Sequence, residues 1–321
     1  MLEHDGGFTV VGVCATAEDA IEALPRLRPD VVTMDIELPG MNGLEAIEEI
    51  MSVQPVPILV LSGHVGRSTE NAAAALAAGA LEAVAKDDLD LREPDGAAAA
   101  AFRRRLTVLS RAHVIRHPRA RLKRNATASR AARRTASVVG ICASTGGPQV
   151  LAALLGSLPA GYPIPVLVVQ HMSAGFTEGL AHWLDRTVRV PVHVAERGPA
   201  APGVWIAPEG AHLRLEPGGE LSLDRRTVRG HHRPSGDVLF ESMAESAGDS
   251  AVAIVLTGMG RDGAAGAAAV KARGGLSVAQ DAESSAVYGM PKAAAERGAV
   301  AVLAPAEIGA LLTSLQPKPL T

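Results

Sequence analysis

Short β-branched and aliphatic runs alternate with amphipathic or alanine-rich runs, and the alternation occurs twice, on either side of a stretch where it fails. From Phe8 to about Lys86 the order is FTVVGV, AEDAIEALPRL, DVVTMDI, GLEAIEEIM, PILVLS, ENAAAALAAGA and LEAVAK. Strand and helix in succession, joined by short loops, predict a small α/β domain with a parallel sheet covered by helices. Between about Leu91 and Thr135 the periodicity disappears, and RRRL, RLKR and ARR stand among Ala, Asn and Ser. This predicts a basic linker, part helical and part disordered.

From Ser137 the pattern restarts with SVVGIC, a helix after Pro148, PVLVVQ, a helix around Glu178 to Leu184, VPVHVAE and VWIAP. In HLRLEPGGELSLD, Pro217-Gly218-Gly219 joins two alternating strands into an expected hairpin that adds an antiparallel edge. AVAIVLT, a helix over Ala264 to Arg273, LSVAQ, a helix after Pro291, AVAVLA and a helix over Ala306 to Leu315 complete a second, doubly wound domain. A chain of 321 residues divides naturally into two such cores.

Several classes are disfavoured. A net charge of −3 and a pI near 6.4 give no general attraction to nucleic acid or anionic membranes. No stretch supplies about 20 uninterrupted apolar residues, and MLEHDGGFTVVG has no secretory character. Direct membrane insertion is therefore not expected. Cys14 and Cys142 both lie in strand-like runs, which suits buried thiols in a reducing, cytoplasmic setting.

In open parallel sheets reactive groups collect beyond the carboxyl ends of the strands. SVVGIC is followed by Ala143-Ser144-Thr145-Gly146-Gly147-Pro148, PVLVVQ by His171-Met172, and AVAIVLT by Gly258-Met259-Gly260-Arg261-Asp262-Gly263. A serine hydroxyl becomes a useful nucleophile when an imidazole takes its proton and a carboxylate orients that imidazole. Ser144, His171 and Asp262 supply those parts. The glycines after Ser144 allow a sharp turn into a helix whose first amides face an oxyanion, with the Thr145 amide one candidate donor. Each residue also has an ordinary role: Ser144 or Thr145 as a helix N-cap, His171 as a bonded strand-end histidine, Asp262 as the N-cap of the next helix. The run from Gly258 to Gly263 also fits the G-x-G-x-x-G dinucleotide fingerprint, with Asp281 at the spacing of a ribose-binding acid. That fingerprint normally opens its domain, and here it comes late.

The same residues carry a resemblance. GICASTGGP around Ser144, VVQHM with GFT, HRPSGDVLFESMA, VLTGMGRDGAAG and AVYGMPKAA occur in the order found in chemotaxis protein-glutamate methylesterases of the CheB type, which join a receiver to a methylesterase domain. The resemblance covers nearly the whole chain. It implies a flavodoxin-like receiver over 1–92, a linker over 93–135 and a catalytic domain over 136–317. It further implies Ser144 as nucleophile, His171 as general base and acid, and Asp262 as the residue orienting His171, with Thr145, Gly146 and Met259 supporting the oxyanion and its loop. The implied reaction releases methanol from glutamate methyl esters on chemoreceptor helices and deamidates receptor glutamines, without a cofactor for the esterase. The run His232 to Asp237 receives no role in the triad.

In the first domain Asp35, ending DVVTMD, begins a segment that resembles a receiver phosphoacceptor loop. Ser62 and Lys86 match the switch hydroxyl and the phosphate-binding lysine. The resemblance implies phosphorylation of Asp35 by a chemotaxis histidine kinase with Mg²⁺, relieving occlusion of the catalytic face. Receivers normally begin with a strand ending in two acidic residues, and here the chain opens near the second strand; Glu3 and Asp5 precede the first apolar run and cannot replace that pair. The expectation is a receiver truncated at its N-terminus, impaired in metal binding, with two strands lacking a central partner. Two other functions stand beside the esterase: a non-catalytic regulatory module of the same fold, and a dinucleotide-binding oxidoreductase.

Overall fold

The alternation becomes two α/β units in the computed structural model, which describes residues 1–321 apart from 5, 64–66, 90–92, 95, 115–133, 228–231, 300 and 321. The first contains α1 (Ala17–Leu27), β1 (Val32–Asp35), α2 (Gly43–Val53), β2 (Ile58–Ser62), α3 (Arg67–Ala78), β3 (Glu82–Ala85) and α4 (Ala97–Leu109). Its strands form a parallel sheet in the order β1-β2-β3. Helix α2 starts where Asn42 and Glu45 form a reciprocal capping box, and buries Ala46, Ile47, Ile50 and Met51.

One expectation needs correction here. The run FTVVGV, read as a strand, joins no ladder among the described residues, and Val13 is 90% exposed. A parallel strand exists only through a neighbour's backbone groups, and β1 is laddered to β2 alone among the described residues. Cys14, at the end of that run, is consequently only half-buried, whereas Cys142 is buried. The stretch read as a linker, part helical, does contain a helix, and that helix is packed. Helix α4 buries Phe102, Leu106 and Leu109, and Arg103 donates to the Pro94 carbonyl at 2.8 Å. Alanine and leucine at helical spacing outweighed the charge of the RRRL run. Residues 115–133 of this stretch, which include RLKR, lie outside the described residues, as does Asp5.

The second unit contains β4 (Thr135–Ala136), β5 (Val138–Ala143), α5 (Gly147–Gly156), β6 (Val166–Gln170), α6 (Thr177–Thr187), β7 (Val192–Val194), β8 (Gly198–Pro199) and β9 (Val204–Ile206). It continues through β10 (His212–Glu216), β11 (Glu220–Asp224), α7 (Gly236–Ser246), β12 (Ala251–Val255), α8 (Ala264–Ala272) and β13 (Leu276–Gln280). The last elements are α9 (Met290–Glu296), β14 (Ala301–Leu303), α10 (Pro305–Ser314) and β15 (Gln316–Pro317). The main sheet has the order β14-β13-β12-β5-β6-β9-β7, parallel throughout. The hairpin β10–β11 forms as expected but does not extend this sheet; it pairs with β8 in a separate antiparallel sheet.

Strands buried on both faces explain the near-continuous apolar runs. Val138, Cys142, Leu167 and Val169 face a core shared with Leu239, Phe240 and Met243 of α7 and Ala267 and Val270 of α8. Their alternates Val139, Ile141, Val166 and Val168 are equally buried. Among the described residues no helix is long and apolar enough to cross a membrane.

Chain order reverses at β5, with β6 on one side and β12 on the other, so a crevice opens beyond the carboxyl ends of these strands. Phe240 is the largest wedge below it, fully buried in the second turn of α7. Phe240→Ala is expected to lower the unfolding free energy of this unit by about 3–5 kcal/mol. Both tryptophans, Trp183 and Trp205, lie in it, so urea unfolding of the full chain followed by tryptophan fluorescence reads the change. An unchanged midpoint would contradict this packing.

Candidate active site

The strand ladders fix the candidate residues before their side chains are considered. Ala143 of β5 is in register with Gln170 of β6, and the His171 amide donates to the Ala143 carbonyl at 2.9 Å. Ser144 and His171 are therefore neighbours one step beyond two paired strands, about 5 Å apart in backbone. On the other side of β5, the Ser144 amide donates to the Thr257 carbonyl at 3.0 Å, anchoring the loop that leads to Asp262. Gly146 has φ +73°, a left-handed conformation that suits glycine, and turns the chain into α5 directly after Ser144.

Buried side chains hold this edge together. The Gln170 amide donates to the carbonyls of both Ser144 (3.0 Å) and His171 (2.8 Å), so one NH₂ group ties the two backbones. The Thr257 hydroxyl donates to the Thr145 carbonyl and accepts from the Val287 amide, and the Thr257 amide donates to the Gln280 side chain. Met259 projects from the same loop and is 51% exposed, presenting an apolar side chain beside the crevice.

Asp262 is the most heavily bonded group of the three. One carboxylate oxygen accepts from the Ser235 hydroxyl at 2.7 Å and the Asp237 amide at 3.1 Å; the other accepts from the Gly236 amide at 2.6 Å. These donors form the start of α7, so the carboxylate sits at the positive end of that helix. Gly236 permits this closeness, because a Cβ there would stand 2.3 Å from the Cys142 sulfur. The second oxygen also lies 2.9 Å from Nε2 of His171. The other ring nitrogen, Nδ1, is buried without a hydrogen-bond partner among the described residues. Burial works against ionisation of Asp262, but His171, Ser235 and the Gly236 amide outweigh it and hold the carboxyl well below its usual range.

The HRPSGD run, which received no role in the sequence, thus supplies the cradle for Asp262. Its legible signal was a Ser-Gly-Asp helix start with no other anion to cap. Gln170 had a signal too, as an amide ending an otherwise apolar buried strand.

The same geometry removes the dinucleotide reading. Asp262 points inward, and the Gly266 amide in the first turn of α8 donates to Asp237 at 2.8 Å rather than facing a pyrophosphate. Asp281 caps its own turn through the Ser284 amide at 3.0 Å. Cys142, His171 and Asp262 bring a sulfur, a nitrogen and an oxygen within 4.8 Å of one another. Burial first, then the carboxylates of Asp262 and Asp237, push the Cys142 thiol well up.

Comparison with known proteins gives the family. The family model described as CheB methylesterase matches residues 139–312, more than half of the chain. The chain belongs to the CheB methylesterase family. The response regulator receiver domain model matches residues 1–92. A protein-glutamate methylesterase/protein-glutamine glutaminase of Nitrosospira multiformis is 40% identical, over 98% of this chain and 92% of that protein. One from Anaeromyxobacter dehalogenans is 44% identical, over 94% and 87%. The crystal structure of the Thermotoga maritima CheB methylesterase catalytic domain superposes with a TM-score of 0.54 at 40% identity, covering 56% of this chain and 98% of that one.

In the receiver of this CheB-family chain, Asp35, Ser62 and Lys86 end three adjacent strands at one sheet edge. Asp35 pairs with Lys86 at 2.7 Å and accepts from the Glu37 amide at 3.0 Å. Ser62 is buried. Asp35 would supply a carboxylate oxygen to Mg²⁺ bound at this edge, beside Lys86.

Because the folded-state pKa of Asp262 is depressed, its contribution to stability is present above about pH 4, the unfolded value, and is lost as pH falls toward the folded value. Urea midpoints from tryptophan fluorescence should fall more steeply between about pH 5 and pH 3 in the wild type than in Asp262→Asn, which cannot titrate there. Parallel falls would contradict an ionised Asp262 in this cradle.

Proposed function

We propose that this chain hydrolyses glutamate methyl esters on chemoreceptors, and deamidates receptor glutamines, through an acyl-enzyme formed on Ser144. The observation that carries the reading is the convergence of Ser144, His171 and an ionised Asp262 at the switch point of one parallel sheet. Fold alone would not support a chemistry; this arrangement of a hydroxyl, an imidazole and an orienting carboxylate does.

Ser144 Oγ attacks the ester carbonyl while His171 takes its proton on the ring nitrogen that faces away from Asp262. The tetrahedral oxyanion is supported by backbone donors of the Thr145–Gly146 turn and the Met259 loop, at the amino end of α5. Collapse breaks the bond to the methoxy oxygen, which leaves as methanol with the proton from His171. Water then attacks the acyl-enzyme, His171 removes its proton and returns it to Ser144, and the glutamate carboxylate departs. With a glutamine side chain the leaving group is ammonia. Asp262 keeps the imidazole oriented and stabilises its protonated form throughout.

The receiver is read as the control element, with Asp35 as phosphoacceptor, a histidine kinase as donor, and Lys86 and Ser62 responding at the same sheet edge. Cytoplasmic location follows from this pairing of a kinase-fed receiver with receptor substrates.

Methanol release from methylated receptor membranes tests the reading. Ser144→Ala should lose about 10⁴-fold or more in rate, with Asp35→Asn abolishing any acceleration by a phosphodonor. Equal release from wild type and Ser144→Ala would refute the mechanism, and an acceleration that survives Asp35→Asn would refute the control.

A further inference from the structure

His171 is covered on one face by a second histidine. The ring of His232 lies parallel to it, with centroids 4.2 Å apart and planes within 12°. The Asp262 cradle does not account for this contact, since its donors are Ser235, Gly236 and Asp237. His232 is exposed whereas the His171 side chain is nine-tenths buried, so His232 forms the layer between His171 and solvent.

The backbone that follows His232 is anchored. The Arg233 guanidinium donates to the carbonyls of Arg225 (2.9 Å) and Thr227 (3.1 Å), and the Arg233 carbonyl accepts from the Gly210 amide at 3.3 Å. The turn that receives Arg233 is itself closed by Asp224, which accepts from the amides of Arg226 (2.8 Å) and Thr227 (3.0 Å). Two residues further on, Ser235 is fixed to Asp262. The chain beside His232 is therefore fixed at Arg233 and Ser235.

We propose that His232 is a positioning residue for His171. This rests on the reading of His171 as general base. An imidazole in that role must keep one nitrogen at the carboxylate and the other at the nucleophile, and a single rotation of the ring breaks both contacts. The torsion that carries the ring is soft, with no sharp staggered wells. A parallel ring at 4.2 Å blocks that rotation, because turning His171 edge-on drives its edge into His232. The same ring excludes water from that face and offers a π surface to the imidazolium formed during acyl transfer. Both effects need an aromatic ring and neither needs a titrating nitrogen.

The test uses the full chain and compares wild type, His232→Ala, His232→Phe and Ser144→Ala in steady-state methanol release. His232→Ala should lower kcat about tenfold with KM within about twofold, and His232→Phe should recover to within about threefold of wild type. Melting followed by tryptophan fluorescence should be the same for all. In NMR spectra the His171 ring protons should lose their ring-current shift in His232→Ala and keep it in His232→Phe. Equal impairment of the Ala and Phe variants would overturn the proposal, as would a kcat for His232→Ala within twofold of wild type. Ser144→Ala separates the two readings: if it is inactive while His232→Ala is normal, only this inference fails, and if it is active the hydrolytic mechanism fails with it.

Discussion

The active edge depends on one buried carboxylate at the amino end of a helix. Removing Asp262 from water is costly, and the cost is offset by the Ser235 hydroxyl, the amides of Gly236 and Asp237, and the adjacent imidazole. Through these contacts Asp262 joins the loop after β12 to α7 and to the residue that follows β6. The apolar packing beneath serves the same geometry. Phe240 holds α7 on the sheet, and the absence of a side chain at Gly236 lets the helix start reach Cys142 and Asp262. Burial, then the carboxylates of Asp262 and Asp237, disfavour the Cys142 thiolate, and its sulfur packs beside the charge.

The two units show what strand pairing does and does not supply. In the catalytic unit β5 has a partner on each side, and its carboxyl end presents Ser144 between two anchored loops. In the receiver β1 is laddered to β2, and the valine run that precedes α1 stands exposed. Asp35 and Lys86 still meet at the sheet edge, because β1, β2 and β3 suffice to align them. Their ion pair is partly exposed and adds little to stability. Its interest lies in placing a cation against a candidate phosphoacceptor.

Much of this was legible in the sequence. Alternation of strand and helix marked both α/β units, and the residues after the apolar runs marked the site, since a parallel sheet must deliver its strand ends to one edge. A strand-like FTVVGV run without a central partner and a part-helical stretch after Leu91 were both expected. Two features were not legible, each for a physical reason. The packing of the helix from Ala97 was hidden by its arginines, whose long side chains allow a charged run to bury Phe102 and Leu106. The roles of Ser235, Gly236 and Gln170 depend on contacts across 26 to 27 residues or on backbone carbonyls, which no local spacing reveals.

The central claim is that Ser144, activated by His171 and held in place through Asp262, becomes covalently acylated. Rapid-quench mass spectrometry of the full chain mixed with a methyl-esterified receptor peptide tests this directly. The account predicts an adduct of peptide mass minus methanol, formed in step with the first equivalent of methanol and mapping to the segment that contains Ser144. Methanol released without any covalent adduct, or an adduct on Cys142 instead, would contradict it.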